Sequence, residues 1–158
     1  MDCGFTNGDR WFRYRAAAII IEDGDVLFAK NELDVHYYSV SGGVHLGEKA
    51  EDAVIREVFE ETGVLYEIDR LAFIHENFFE DVGGTLDGFK CHEIAFYFLM
   101  KSRGTKELNS NSYNIFGVKE YMHWLPINKL KEYIAYPSFF ADKLLNLKEI
   151  VEHVVTVE

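Results

Sequence analysis

The chain has 158 residues, enough for one domain with a proper core and too few for two. Hydrophobic residues make up 48% and aromatics 15%, which excludes a disordered chain. Sixteen Lys and Arg against 27 Asp and Glu leave a net charge of −11, which excludes a duplex-binding surface but not a phosphorylated ligand delivered with a divalent cation. In chain order, Met1 to Arg10 is polar and glycine-containing and reads as a loosely held start. Arg13 to Glu22 and Asp25 to Lys30, joined by Asp23-Gly24, read as a β-hairpin, because Asp-Gly suits the positive φ angles of a tight turn. Tyr37 to Val40 is a short third strand, the Gly-rich segment Ser41 to Gly47 follows, and a helix is expected from about Lys49 to Thr62. Gly63 stands where a helix-ending left-handed residue belongs.

Val64 to Phe79 is strand-like but long, so a bulge is expected near Asp69-Arg70. Asp81 to Phe89 and Ser102 to Tyr113 read as loops on either side of Cys91 to Met100, an aromatic-rich strand. Tyr121 to Leu125 is a further strand, Ile127 to Tyr133 a short helix after Pro126, and Ser138 to Leu147 has helical spacing. Without a regular βαβ rhythm, the fold class is α/β with a mixed sheet flanked by helices. The longest apolar run, Ile94 to Met100, is too short to span a bilayer, and no secretory signal is visible near Met1, so cytoplasmic localisation is expected. Cys3 and Cys91 are too few for a disulfide framework or a zinc site.

One segment carries the chemistry, Ser41-Gly-Gly-Val-His-Leu-Gly-Glu48 through Arg56-Glu57-Val-Phe-Glu60-Glu61-Thr-Gly63-Val64. Glu57, Glu60 and Glu61 stand at i, i+3 and i+4, side by side on one helix face. At about 100° per residue, Ala50, Ala53, Val54, Glu57 and Glu61 share a stripe that is apolar first and acidic last. Ile55 and Phe59 lie opposite, so the helix is expected to be covered on both faces. Like charges on adjacent turns cost roughly 0.2–0.5 kcal/mol per pair. These also sit at the negative end of the helix dipole, and Arg56 offsets only part of that. A hard divalent cation resolves the conflict, and a solvated acidic face is the alternative. Gly42, Gly43 and Gly47 form a loop between strand and helix where backbone can approach a phosphate or offer a carbonyl to a metal.

The spacing Gly42-x5-Glu48-x7-Arg56-Glu57-Val58-x-Glu60-Glu61-x-Gly63-Val64 resembles the signature box of the Nudix (MutT-like) hydrolases at every fixed position, over 23 residues. Arg15 to Lys30 and Trp124-Leu-Pro-Ile127 extend the resemblance to about Phe12–Tyr133. Many members begin the box with Pro-Gly-Gly, where this chain has Ser41-Gly42-Gly43. The resemblance implies the Nudix fold, an α/β/α sandwich around a mixed β-sheet, with Mg²⁺ or Mn²⁺ as cofactor. It implies metal-dependent hydrolysis of a nucleoside diphosphate linked to another moiety, and frequent homodimers. Glu57, Glu60, Glu61 and the Gly42 carbonyl are the implied metal ligands, and Glu57 is implied to orient or deprotonate water. Arg56 is implied to hold a catalytic glutamate through Glu48 or Glu60. A ligand-sensing domain that keeps the fold without catalysis is the rival reading, which loss of box glutamates would favour.

Outside the box, Glu93 and Glu120 lead the candidates for a further carboxylate, ahead of Glu76 and Glu80. Arg13 and Arg15 can grip a phosphate, His45 can contact ligand from the Gly loop, and His75 and His92 are available as bases. Tyr37, Tyr38, Phe78 and Phe79 can stack on a base, with core packing as the alternative. The sequence does not distinguish nucleoside triphosphates, ADP-ribose and other nucleotide sugars, dinucleoside polyphosphates and capped RNA as substrates. Some ADP-sugar members carry a proline past the box, and its lack between Leu65 and Pro126 counts against ADP-ribose.

Overall fold

The structure, a computed structural model, describes residues 1–81, 87–109 and 120–158, at residue 120 the backbone alone. Its centre is β2 (Arg10–Ile19), whose Ala16, Ala17 and Ala18 are fully buried, small enough for layers to pack closely on both faces of the strand. β2 runs parallel to β7 (Lys90–Met100) and antiparallel to β5 (Tyr37–Gly43). β6 (Ile68–Glu80) lies antiparallel outside β7, and β10 (Glu152–Val157) parallel outside β6. On the other side β5 is followed by β4 (Asp25–Asn31) and β3 (Ile21–Glu22). β1 (Gly4–Asn7) extends the sheet along β2, β8 (Glu120–Pro126) along β4 and β9 (Ala135–Tyr136) along β5.

The turn at Asp23-Gly24 has φ of 51° and 78°, as a primed hairpin turn requires. The hairpin it closes is only the two-residue β3 against β4. The expected long pairing is absent because β2 ends at Ile19 and takes β5 and β7 as partners. The expected bulge appears as register shifts between Ile68 and Arg70 and between Leu71 and Phe73. The first residues, expected to be loose, are tied down through β1. The loops expected from Asp81 to Phe89 and Ser102 to Tyr113 lie partly outside the described residues; residues 102–109 form neither helix nor strand.

Alternation along the strands sends two sets of side chains to two cores. Ala16, Ala18, Val40 and Phe98 pack against Ala53, Val54 and Val58 of α1 (Ala50–Thr62). Ala17, Ile19, Phe28, Phe73 and Tyr97 pack against Leu130 of a 3-10 helix at Ile127–Glu132 and against Phe139, Phe140 and Leu144 around α2 (Phe140–Lys143). Helices therefore cover both faces of a mixed sheet, the expected α/β/α sandwich. Among the described residues the second face of α1 is covered only in part: Ile55 is half-buried and packs against the core, but Phe59 is 49% exposed, contrary to the expectation from its spacing. Gly63 ends α1 at φ 71°, its N–H donating to Phe59 O, and a β-carbon there would strike the Asn109 carbonyl.

Candidate active site

β5 delivers Gly42 and Gly43 to the edge of α1, and the last turns of α1 bring the box carboxylates to meet them. The contact is so close that a β-carbon on Gly42 would overlap the Glu57 carboxylate. Glycine at 42 is thus required by a side chain seated on its backbone. Arg56 organises the group: its Nε and Nη2 donate to the two Glu48 oxygens at 2.9 Å each, and Nη1 donates to Glu57 Oε1 at 2.7 Å. Nη2 also donates to the Gly43 carbonyl at 3.0 Å, and Glu60 Oε1 lies at 3.5 Å from Nη1. Of the two expected partners of Arg56, Glu48 is held by the fork and Glu60 only at its fringe; Glu57 itself is the second firm partner.

The electrostatics follow. Arg56 hydrogen bonds, with burial opposing, hold the Glu48 carboxyl down at about 2. Those same bonds raise the Arg56 guanidinium above its ordinary value. Burial pushes Glu57 above the usual carboxylate range; Arg56 pulls the other way and the Glu60 charge adds to the rise. Burial thus resists the charge of Glu57, as expected where an external cation is to complete the neutralisation. Glu60 is 56% exposed and Glu61 half-buried. The donor set of carboxylates plus a backbone carbonyl, without thiolate or imidazole, suits a hard divalent cation. Among the described residues no three His, Cys, Asp or Glu side chains are already gathered as a cage, and Glu57 Oε1 is engaged with Arg56.

A second feature lies on the opposite sheet face, a cavity of about 660 Å³ whose lining includes Arg13, Arg15, Ser41, Glu93, Tyr38 and Tyr136. Glu93 is 5% exposed, and Arg13 Nε and Nη2 donate to its Oε1 at 3.1 and 2.9 Å, while Arg15 Nη1 reaches its Oε2 at 3.4 Å. Burial pushes Glu93 upward, but the charges of Arg15 and Arg13 prevail and hold it below its ordinary value. Arg13 is lowered to about 10 by burial and by the neighbouring Arg15. Arg15 also sits near enough to the box that its charge favours ionised Glu57 and is in turn favoured by Glu61. Tyr38 stacks on Tyr136 at 5.9 Å, and Phe79 lines the same cavity.

The remaining candidates separate. His75 is 4% exposed beside the cavity, and burial lowers it to about 4, so it is neutral at pH 7, its Nε2 paired with Thr156 Oγ1 at 2.8 Å. His92 and Phe78 stack at 4.3 Å on the α1 side of the sheet, away from this cavity. Tyr37 packs edge-on against His123 and Tyr133. Glu76 pairs with His153 Nε2 at 2.7 Å, whereas Glu80 is on the cavity wall. Glu120 heads β8 opposite Asn31; its side chain lies outside the described residues. His45 donates its backbone N–H to Glu48 Oε1, and its ring Nε2 stands 3.4 Å from Asp2 Oδ1. Asp2, Asn77 and Thr156 were not among the sequence candidates, and Ser41 was singled out only as a departure from the box. For Thr156 a signal existed, the β-branched run Val154-Val155-Thr156-Val157.

The NUDIX domain profile matches residues 12–143, starting where the resemblance was expected to start and running past Tyr133. Among the curated proteins none matches the chain. Among solved structures, a mutator MutT protein from Bacillus halodurans is 18% identical with a TM-score of 0.67, over 92% of this chain and 90% of that one. A MutT NUDIX hydrolase from Burkholderia pseudomallei is 22% identical with a TM-score of 0.56, over 74% of this chain and 84% of that one. An ADP-ribose pyrophosphatase from Streptococcus suis is 14% identical with a TM-score of 0.56, over 91% and 98%. The profile covers most of the chain and the fold is shared, so the chain belongs to the NUDIX domain family.

Proposed function

We propose that the protein is a divalent-metal-dependent pyrophosphohydrolase that splits the diphosphate of a nucleoside diphosphate derivative by water attack at phosphorus. The observation that carries this reading is the Glu57 carboxylate seated on the Gly42 backbone, half-buried and raised by burial. Gly42 O, Glu57, Glu60 and Glu61 would hold Mg²⁺ or Mn²⁺. When bound, that ion lowers the pKa of a coordinated water and stabilises charge on the bridging oxygen. Glu57 orients the attacking water and takes its proton, with Glu60 at the solvent side to pass it on. Arg56 keeps Glu57 and the Gly43 carbonyl in register by binding both. The new P–O bond forms as the bridging P–O bond breaks, leaving two phosphorylated products. A cytoplasmic setting is part of this proposal; no helix among the described residues is long and apolar enough to cross a membrane.

The test is a panel of nucleoside triphosphates, ADP-ribose and other nucleotide sugars, dinucleoside polyphosphates and capped RNA, incubated with Mg²⁺ and parent protein or Glu57→Gln. Mononucleotide release by the parent, removed by EDTA and strongly reduced in Glu57→Gln, is expected. Equal rates from the two proteins would end the reading, and so would an inert parent, which would leave the non-catalytic alternative.

A further inference from the structure

The two arginines at the cavity are held very differently. Arg13 spends its Nε and Nη2 on one Glu93 oxygen, and its guanidinium lies over the Trp11 ring at 4.7 Å from the centroid. It is pinned between two partners, the Glu93 oxygen and the Trp11 ring. Arg15 touches Glu93 through a single long contact of 3.4 Å and turns Nη2 to Ser41 Oγ. Its Nε is buried and, among the described residues, has no acceptor. An unmet buried donor on a charged group is costly, so its retention asks for a reason.

Ser41 supplies half of that reason. Its hydroxyl donates to the Ser39 carbonyl at 3.2 Å, which leaves its lone pairs facing Arg15. The serine is the residue at which this chain departs from the Pro-Gly-Gly opening of the box, and a proline there would offer Arg15 no side-chain acceptor. β2 and β5 pair Arg15 with Gly43, so Arg15, Ser41 and Gly43 share one face of the sheet, directly behind the loop that carries the box. Arg13, Arg15 and Glu93 together carry a net charge of +1, within a cavity whose lining also includes the carboxylates Asp34, Glu80, Asp81 and Glu158. The cavity above it, about 660 Å³, is of the size that takes a small-molecule ligand such as a nucleotide.

We infer that Arg15, presented by Ser41 and Glu93, binds a phosphate group of the ligand's nucleotide half in this cavity, and does so without a metal ion. Glu93 acts here as a positioning residue: it fixes Arg13 through two contacts and holds Arg15 by one long contact that a phosphate would replace. Ser41 positions Arg15 from the other side. The substrate class that follows is one whose nucleotide portion enters on the face opposite α1 while its diphosphate reaches the box past Gly43. This rests on the proposed function in taking the ligand to be a nucleotide.

The experiment is calorimetric titration of AMP, GMP, CMP and UMP, each beside its unphosphorylated nucleoside, in EDTA. The parent is expected to bind at least one monophosphate, with the matching nucleoside at least about tenfold weaker. A charge-assisted hydrogen-bonded contact sets the loss in Arg15→Met at about 10–100-fold, with Arg15→Lys intermediate because it keeps the charge and loses the fork. Ser41→Ala is expected to weaken binding about threefold to tenfold and, on a hydrolysed substrate, to act on KM more than on kcat. Ser41 is not in a core, so this variant decides the matter should Arg15→Met fail to fold. No monophosphate binding by the parent, or unchanged affinity in the arginine and serine variants, would overturn the inference. Arg15-dependent binding by a protein that hydrolyses nothing would refute the proposed activity alone; hydrolysis with Arg15-independent monophosphate binding would refute this inference alone.

Discussion

On the α1 side of the sheet three carboxylates, Glu48, Glu57 and Glu60, share one guanidinium, Arg56. On the opposite side one carboxylate, Glu93, serves two guanidiniums, Arg13 and Arg15. The first arrangement is short of positive charge and its central acid is pushed toward protonation. In the second the guanidiniums outnumber the one carboxylate they share, which is held ionised, while Asp34, Glu80, Asp81 and Glu158 line the same cavity. A ligand that carries phosphate to one side and is met by a divalent cation on the other satisfies both, and Gly42 and Gly43 are the backbone between them. The comparison teaches that one sheet carries two ion-pair clusters of opposite local imbalance, one on each face.

The largest effect expected from breaking this pair is on turnover. Glu57→Gln removes the group proposed to accept the water proton, and kcat is expected to fall by about 10²–10⁴-fold in steady-state assays. On the other face, Glu93→Leu strands two guanidiniums in a poorly solvated place and is expected to cost about 3–5 kcal/mol in urea unfolding. Adding Arg13→Met and Arg15→Met to it should recover most of that loss, because a fully apolar replacement leaves no unmatched charge. Gly42→Ala should leave the fold near its parent melting midpoint yet lower turnover by about 10²-fold, since displacing Glu57 by an ångström misplaces the proton acceptor.

The pH dependence sharpens the comparison with opposite signs. His75, lowered to about 4 by burial, binds fewer protons folded than unfolded. Its contribution is fully present above its ordinary 6.5 and is lost as pH falls from there through 4, at no more than about 1.4 kcal/mol per pH unit. His75→Gln should flatten thermal midpoints over that window. Glu57 runs the other way: its raised folded value means that its charge opposes folding at neutral pH, and the opposition fades on acidification. The smallest effect belongs to Glu48. Its depression from 4.5 to about 2 stabilises the fold above 4.5 and is lost as pH falls through 2. Solvent screening at this partly exposed pair limits it to about 1 kcal/mol, and Arg56→Gln should abolish it.

What the sequence revealed follows the range of the interactions. The helix, its Gly63 stop, the carboxylate spacing and the Asp23-Gly24 turn are set by residues within a few positions of one another, and all were legible. The long partner of β2 was not, because an alternating apolar strand announces its faces and not its neighbours. Arg13 and Glu93 are 80 positions apart, so they could be named as candidates but not as a pair. Phe59 misled for a related reason: its spacing marks a second apolar stripe, and only the tertiary arrangement decides that the described residues leave it half exposed. Ser41 stood out as a departure from the box, but its meaning depends on Arg15 arriving from β2.

The most direct test of the central claim is a Mn²⁺ titration followed by electron paramagnetic resonance, in which protein-bound ion loses the sharp signal of the free aquo ion. The parent should remove Mn²⁺ saturably and Glu57→Gln should bind it at least tenfold more weakly, both remaining folded. Signals from the parent that match protein-free buffer, or identical binding by the two proteins, would contradict the assignment of the acidic turn of α1 as a cation site.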